Sequence, residues 1–341
     1  MAEKKSVLNI VSLSRGGHRA MYEDFISKYY SVKVLRSGFT VRPKEQVFFL
    51  MVEESFIGYF LSCVLRSFLG RETSGLLFNP KGALESSSLK SILKRLALKF
   101  LKINPFVRTF TILPHAIEPN FSKISDGYIY DFQFWDLSAK QLQEFRNYKT
   151  ELATSNKGDL RSQLMTFAEG RKVILSLGRQ SKIKGIDNLV NAALSLSPEN
   201  LCIVIAGKQD EYARTRLGRI SSENLLCIDR FITDAELFDL YSSSDFVWCC
   251  YDDSYDQSSG IFGRASQLGI CSIIRASSYI HKLALIENFP HIALDDSVEL
   301  EKEISKFHER CNPNNGASDN FSKVSLSTLK DAIHVMPSQN K

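Results

Sequence analysis

Apolar residues arrive along this chain in short unbroken runs, separated by segments with the spacing of amphipathic helices. VLNIVSL (7–13) precedes a helical pattern over 19–30, and VKVL (32–35) is a short run. VFFLMV (47–52) precedes a helix over 55–69, SGLLF (74–78) one over 88–102, and TFTIL (109–113) closes the series. The pattern restarts after Gly170. VILSL (173–177), LCIVIAG (201–207), LLCI (225–228), FVWCCY (246–251) and CSIIRA (271–276) alternate with helices predicted over 186–196, 234–243, 261–268 and 280–287. Runs that are apolar at every position belong to strands covered on both faces, as in parallel sheets flanked by helices. SAKQLQEFRNYKTELATSNKGDLRSQLMTFAEG (138–170) carries no strand signal and is read as the domain join. The predicted fold class is therefore α/β, with two Rossmann-like doubly wound domains facing across a cleft. One covers 1–165 and the other 166–320, before a last helix and tail over 321–341.

The length, 341 residues, supports two domains, since one hydrophobic core usually stops growing below that size. Charge is unevenly spread. Through Pro105 there are 17 Lys plus Arg against 8 Asp plus Glu, and beyond it 26 against 30. A basic front half suits a phosphate-rich or anionic-membrane partner, and no nucleic-acid motif appears. The seven cysteines sit mostly in apolar runs without a CxxC pair, and read as reduced, buried residues of a cytoplasmic protein. The opening MAEKKSVLNIV reads as a first strand and not a signal peptide. The most apolar helix pattern, SFIGYFLSCVLRSFLG, is broken by Arg66 and falls short of the about 20 residues that span a bilayer.

Open α/β sheets bind ligands beyond the carboxyl ends of their strands, which directs attention to the loops just after the runs. After the first run, Gly16 and Gly17 allow a tight turn and a close approach to an anion at a helix N-terminus. In LGRQSKIKGIDNLVNAA, Arg179 and Lys184 share one loop before a helix opened by Gly185. A forked guanidinium and a point-charge ammonium five residues apart suit a diphosphate, or else are two solvated cations. After FVWCCY come Asp252, Asp253 and Asp256, then Ser258, Ser259 and Gly260. Ser258 is the predicted N-cap, Ser259 and Gly260 supply free amides to a phosphate, and the acids accept from ligand hydroxyls. A capped helix behind an acidic loop is the plainer alternative. His115, in PHAIEPNF at the end of a predicted strand, is held by its neighbouring proline.

The ordered series LGRQSKIKGIDNLVNAA, LCIVIAGKQDEY, LLCIDRFITDAELFDLYSSSDFVWCCY and SSGIFGRASQLGICSII resembles the C-terminal domain of family-4 glycosyltransferases of the two-domain GT-B fold, over about residues 170–290. That resemblance implies a retaining, metal-independent sugar transfer from a nucleotide-sugar donor to a glycan or lipid-linked acceptor, in polysaccharide or glycolipid synthesis, with no cofactor. It implies that Arg179 and Lys184 contact the donor diphosphate and that the backbone near Phe231 meets the base, with Arg230 where glycine is usual. It also implies that the amides around Ser258, Ser259 and Gly260 hold the distal phosphate, and that His115 lies next to the transferred sugar. The family's two glutamates fall on Asp256, one methylene shorter, and on Arg264, where the charge is reversed. Arg264 is then a phosphate contact or a solvated residue. The alternatives are a non-catalytic subunit of the same fold and a nucleotide-sugar epimerase. Finally, LKSILKRLALKFLK (89–102) places Leu89, Ile92, Leu93, Leu96 and Phe100 on one face, with Lys90, Lys94, Arg95, Lys99 and Lys102 opposite. That face either packs on its own sheet or meets an anionic membrane.

Overall fold

The structure, a computed structural model, describes residues 7–14, 18–84, 88–150, 160–220, 222–295, 300–310 and 319–333. The chain divides into two units, Met1–Phe132 with Asn320–Lys341, and Gln133–Asp319. The first carries β1 (Val7–Val11), α1 (His18–Ser27), β2 (Ser31–Leu35), β3 (Val47–Phe49), α2 (Phe56–Phe68), β4 (Thr73–Leu77), α3 (Lys81–Leu84), α4 (Leu89–Lys102), β5 (Val107–Thr111) and β6 (Gly127–Tyr128). Its sheet runs β2-β1-β3-β4-β5-β6 with every neighbouring pair parallel. Phe48, Phe49, Leu77, Leu98 and Leu101 are sealed inside this unit.

Arg66, which breaks the apolar run of α2 in sequence, is wholly buried. Its guanidinium donates to the Thr73 hydroxyl at 2.9 Å and to the carbonyls of Pro43, Glu45 and Glu72 at 2.5, 2.9 and 2.8 Å. Burial lowers its pKa to about 10, still charged at neutral pH, and the ring of carbonyls compensates the lost hydration.

The second unit carries α5 (Ala139–Thr150), α6 (Leu160–Ala168), β7 (Lys172–Leu177), α7 (Ile186–Ser195), β8 (Leu201–Ala206), α8 (Glu211–Leu217), β9 (Leu225–Ile228), α9 (Asp234–Ser242), β10 (Phe246–Cys249), α10 (Gly260–Leu268), β11 (Cys271–Arg275), α11 (Tyr279–Glu287), β12 (His291–Leu294) and α12 (Leu300–Arg310). Its parallel sheet runs β12-β11-β10-β7-β8-β9. All six residues of β8 are buried, as the unbroken apolar run requires of a strand covered on both faces. The strand order reverses between β7 and β10, so the loops that follow these two strands flank the topological switch point.

The first division falls earlier than the expected boundary at 165, the second lies within one residue of the expected 320, and the segment beyond it joins the first unit; the reason is packing. α5 belongs to the second unit: Phe145 meets Phe238 edge-on at 5.1 Å, and the Tyr148 hydroxyl donates to Asp239 at 2.6 Å. The last helix, α13 (Asp319–Ile333), packs on the first unit, where Leu329, Ala332 and Ile333 are buried and Tyr130 meets Phe321 at 4.6 Å. Of the six cysteines among the described residues, five are buried. Cys227 is exposed, against expectation, because β9 is an edge strand.

Candidate functional site

At the switch point of the second unit, the loop after β7 and the loop after β10 are packed backbone to backbone. The Asp252 amide donates to the Ile183 carbonyl at 3.3 Å. Gly185 takes φ +75°, and a Cβ there would lie 2.1 Å from the Cys250 carbonyl oxygen, so only glycine satisfies both the conformation and the space. Gly207, after β8, has φ +135° and would bring a Cβ to 2.0 Å from the Gly178 carbonyl oxygen. The three loops at the carboxyl edge are therefore held by close main-chain contact.

Lys184 leaves this junction with its ammonium over two rings, 3.7 Å from the Tyr255 centroid and 4.3 Å from that of Tyr251. The rings meet edge-on at 5.2 Å. Their faces hold the cation without neutralising it. The buried Tyr251 hydroxyl lies 2.8 Å from Ser259 Oγ, so Lys184 stands one side chain away from the start of α10. The cap of α10 is Ser259 and not Ser258: its hydroxyl accepts from the Phe262 amide at 3.4 Å, and the helix begins at Gly260. Of two adjacent serines, the one that also meets Tyr251 takes the cap. Ser258 is half-buried just outside it. The first amides of α10, those of Gly260 and Ile261 included, belong to the set that a helix leaves without an internal acceptor. On the β7 side, a Cβ on Gly178 would stand 3.1 Å from Ile261 Cδ1, and the next residue, Arg179, is exposed. Lys184 and the start of α10 thus meet through Tyr251, and Arg179 follows Gly178 in the loop that faces Ile261.

The acids expected to grip hydroxyls are otherwise engaged. Asp252 accepts from the amide and hydroxyl of Ser254 at 2.9 and 2.6 Å, which holds its pKa below the usual carboxylate range. Asp253 pairs with Arg275 at 3.0 Å. Asp256, expected in catalysis, accepts from the Tyr279 amide at 2.7 Å and lies 3.9 Å from the same arginine, which ties the loop to the first turn of α11. Arg264, expected as a phosphate contact or a solvated residue, does not face solvent. It forms a two-pronged pair with Asp136 at 2.8 and 2.7 Å and donates to Gln267 at 2.8 Å, and both charged side chains are only 13% exposed. The bidentate pair offsets much of the guanidinium's charge and fixes its plane against Asp136. Arg230 is likewise committed, to Glu236 at 3.0 and 2.5 Å within the capping box of α9. Its neighbour Phe231 is 80% exposed just beyond the carboxyl end of β9.

A cavity of about 690 Å³ lies on another flank of the loop after β10, lined by Asn188, Asn191, Trp248, Asp252 and Arg275 among others; neither Lys184 nor Ser259 lines it. In the first unit, His115 follows the carboxyl end of β5 with Nε2 at 2.9 Å from Ser125 Oγ. Burial and the nearby Lys102 lower its pKa, so the ring is neutral. Gly17 lies outside the described residues. Tyr251 and Tyr255, the two side chains that place Lys184, were not among the residues singled out in sequence. Two tyrosines four residues apart, straddling the acidic loop, were the available signal.

No protein-family model matches the chain, and no curated protein resembles it in sequence. Solved structures do resemble it in fold. The crystal structure of Anabaena Alr3699/HepE in complex with UDP superposes with TM-score 0.56 at 14% identity, covering 97% of both chains. The catalytic domain of starch synthase IV from Arabidopsis thaliana bound to ADP and acarbose does so with TM-score 0.53 at 13% identity, over 93% of this chain and 75% of that one. The E. coli trehalose-6-phosphate structure bound with UDP-2-fluoro glucose reaches TM-score 0.60 at 9% identity, over 97% of this chain and all of that one (100%). Two Rossmann-like units with parallel six-stranded sheets, the GT-B fold, are what this chain shares with them.

Proposed function

We infer that this chain is a glycosyltransferase, binding a nucleotide-sugar donor at the switch point of the second sheet and passing the sugar to an acceptor hydroxyl. The observation that carries the reading is the convergence of Lys184, clasped by Tyr251 and Tyr255, with the Ser259-capped amide end of α10. A diphosphate needs such a surface: fixed cations and amides, already oriented before charge develops. Arg179, exposed and next in sequence to Gly178, which faces Ile261, supplies the forked partner, and Phe231 offers an apolar ring for the base. Solved structures of like fold that hold UDP, ADP or UDP-2-fluoro glucose support the same ligand class.

In the transfer step the bond from the anomeric carbon to the distal phosphate oxygen breaks as one to the acceptor oxygen forms, and the leaving diphosphate gathers negative charge and takes up the proton that the acceptor hydroxyl gives up. Lys184, Arg179 and the α10 amides stabilise that charge, so the reading requires no metal or cofactor. Asp256 is a positioning residue here, fixing the loop between α11 and Arg275. His115 is the candidate of the first unit for contact with the transferred sugar, as a neutral imidazole. A retaining outcome, and an acceptor that is a glycan or lipid-linked glycan, follow the family resemblance.

The test is acceptor-dependent release of nucleoside diphosphate from a panel of nucleotide sugars. Release that needs both an acceptor and Lys184 supports the reading. The engagement of Asp256 and Arg264 favours, as the second reading, a subunit that binds the donor without transferring it. Binding with no release under any acceptor would select that one, and product formed from donor alone would select an epimerase.

A further inference from the structure

The amphipathic helix α4 does not use its marked apolar face to pack on its own sheet. Leu98 and Leu101 are buried, whereas Leu89, Leu93, Leu96 and Phe100 are exposed, with Ile103 at the C-cap 82% exposed. The neighbouring α2 does the same. Tyr59, Ser62, Cys63 and Arg66 face inward, and Ile57, Leu61, Leu65 and Phe68 form an exposed row, Phe68 at 83%. The helices touch through Phe60 and Phe100, 6.1 Å apart, and through the Asn104 amide on the Ser67 hydroxyl at 2.8 Å. Between their C-terminal ends runs a groove of about 460 Å³, lined by Val64, Phe68, Phe100, Ile103, Pro105 and Phe106. Two adjacent outward-facing apolar rows exceed what a soluble monomer ordinarily leaves uncovered.

Cations border this face. Lys90 and Lys99 are exposed on α4, and a hollow of about 450 Å³ beside Leu96 is lined by Arg95, Lys99 and Lys123, with Glu118 its one acid. Neither α2 nor α4 contains an acidic residue. Two copies meeting through this face would therefore set lysine against lysine with no carboxylate on either helix to answer. A surface of anionic headgroups over hydrocarbon matches both features together. No helix among the described residues is long and apolar enough to cross a membrane, and at 13 and 14 residues these two would lie in the interface plane.

We propose that the α2–α4 face docks this protein on an anionic lipid bilayer, with Phe68, Leu93, Phe100 and Ile103 entering the acyl boundary and Lys90, Lys99 and Lys123 contacting headgroup phosphate. The proposal is independent of the transferase reading, since lipid binding is measured without nucleotide. The experiment is co-sedimentation of the full chain with vesicles of phosphatidylcholine, with and without phosphatidylglycerol. The wild type should bind the mixed vesicles and bind pure phosphatidylcholine at least about tenfold more weakly. Phe68→Ser with Ile103→Ser, at positions more than four-fifths exposed and so neutral to folding, should reduce binding to mixed vesicles by about a hundredfold. Lys90→Gln with Lys99→Gln should cost about tenfold on mixed vesicles and nothing on neutral ones. A thermal melt confirms that each variant folds. The proposal fails if the wild type stays in the supernatant with both vesicle types, if the serine pair binds as the wild type does, or if inorganic phosphate alone displaces the protein completely. It also fails if sedimentation velocity shows a lipid-free dimer that the serine pair dissociates.

Discussion

Replacing Arg264 is the perturbation that most sharply separates a structural from a ligand-binding arginine. Its two prongs reach Asp136 at 2.8 and 2.7 Å, and each side chain keeps only 13% of its exposure. Removing one member of a fully buried pair costs about 3–5 kcal/mol, so with this residual exposure Arg264→Met should cost about 2–4 kcal/mol. For a unit of this size that lowers the melting temperature by about 5–15 °C. Arg264→Glu should be worse at neutral pH, because two carboxylates then face each other and one is driven to hold its proton. A carboxyl whose folded pKa is raised stabilises the fold below its unfolded pKa and loses that contribution as pH rises, so this variant should gain stability on acidification from about pH 7 to 5. Exchanging the charges, Arg264→Asp with Asp136→Arg, should recover part of the loss, and the double-mutant cycle over thermal and urea melts measures the coupling. An Arg264→Met variant that melts like the wild type but binds nucleoside diphosphate poorly would refute the reasoning, since the guanidinium would then be facing ligand.

Gly185→Ala meets both a left-handed backbone, φ +75°, and the Cys250 carbonyl at 2.1 Å; it should lose at least about 1–3 kcal/mol in urea melts and displace Lys184, lowering nucleotide affinity as well. His115 and His281 both have pKa values lowered mainly by burial, and His281 Nδ1 already accepts from the Ser277 amide at 3.0 Å. Groups held neutral in the fold contribute stability that is complete above the ordinary histidine value of 6.5 and shrinks as pH falls below it. The melting temperature should therefore drop between about pH 7.5 and 5.5, and His115→Gln with His281→Gln should flatten that drop.

The strands were legible as apolar runs: Lys172–Leu177 and Leu201–Ala206, buried along nearly their whole length, were predicted within one residue, and the partly exposed edge strand Leu225–Ile228 to the residue. Gly127–Tyr128 escaped notice because a run of two residues carries no periodicity, and His291–Leu294 because it opens on a histidine and leaves only three apolar positions. The unit boundary was misplaced because α5 has only a weakly patterned surface, and its partners Phe238 and Asp239 lie about 90 residues away in sequence. The same distance hid the fate of Arg264, whose partner is 128 residues upstream. Lys184 was visible from loop spacing, but its setting between two tyrosine rings depends on how the loop after β10 folds back. Helix α4 was read as amphipathic correctly. Which apolar residues faced inward was not readable, since Leu98 and Leu101 supply a second, shorter apolar edge.

The central claim is that the junction of the loops after β7 and β10 holds a diphosphate. Calorimetric titration of UDP, ADP, GDP and CDP into the wild type and Lys184→Met tests it most directly. One of the four should bind the wild type with a single site, and the methionine variant, unchanged in melting temperature, should bind it about tenfold to a hundredfold more weakly, the loss expected for a charge-assisted contact. Binding that is indifferent to Lys184, or the absence of heat from all four diphosphates, would contradict the account.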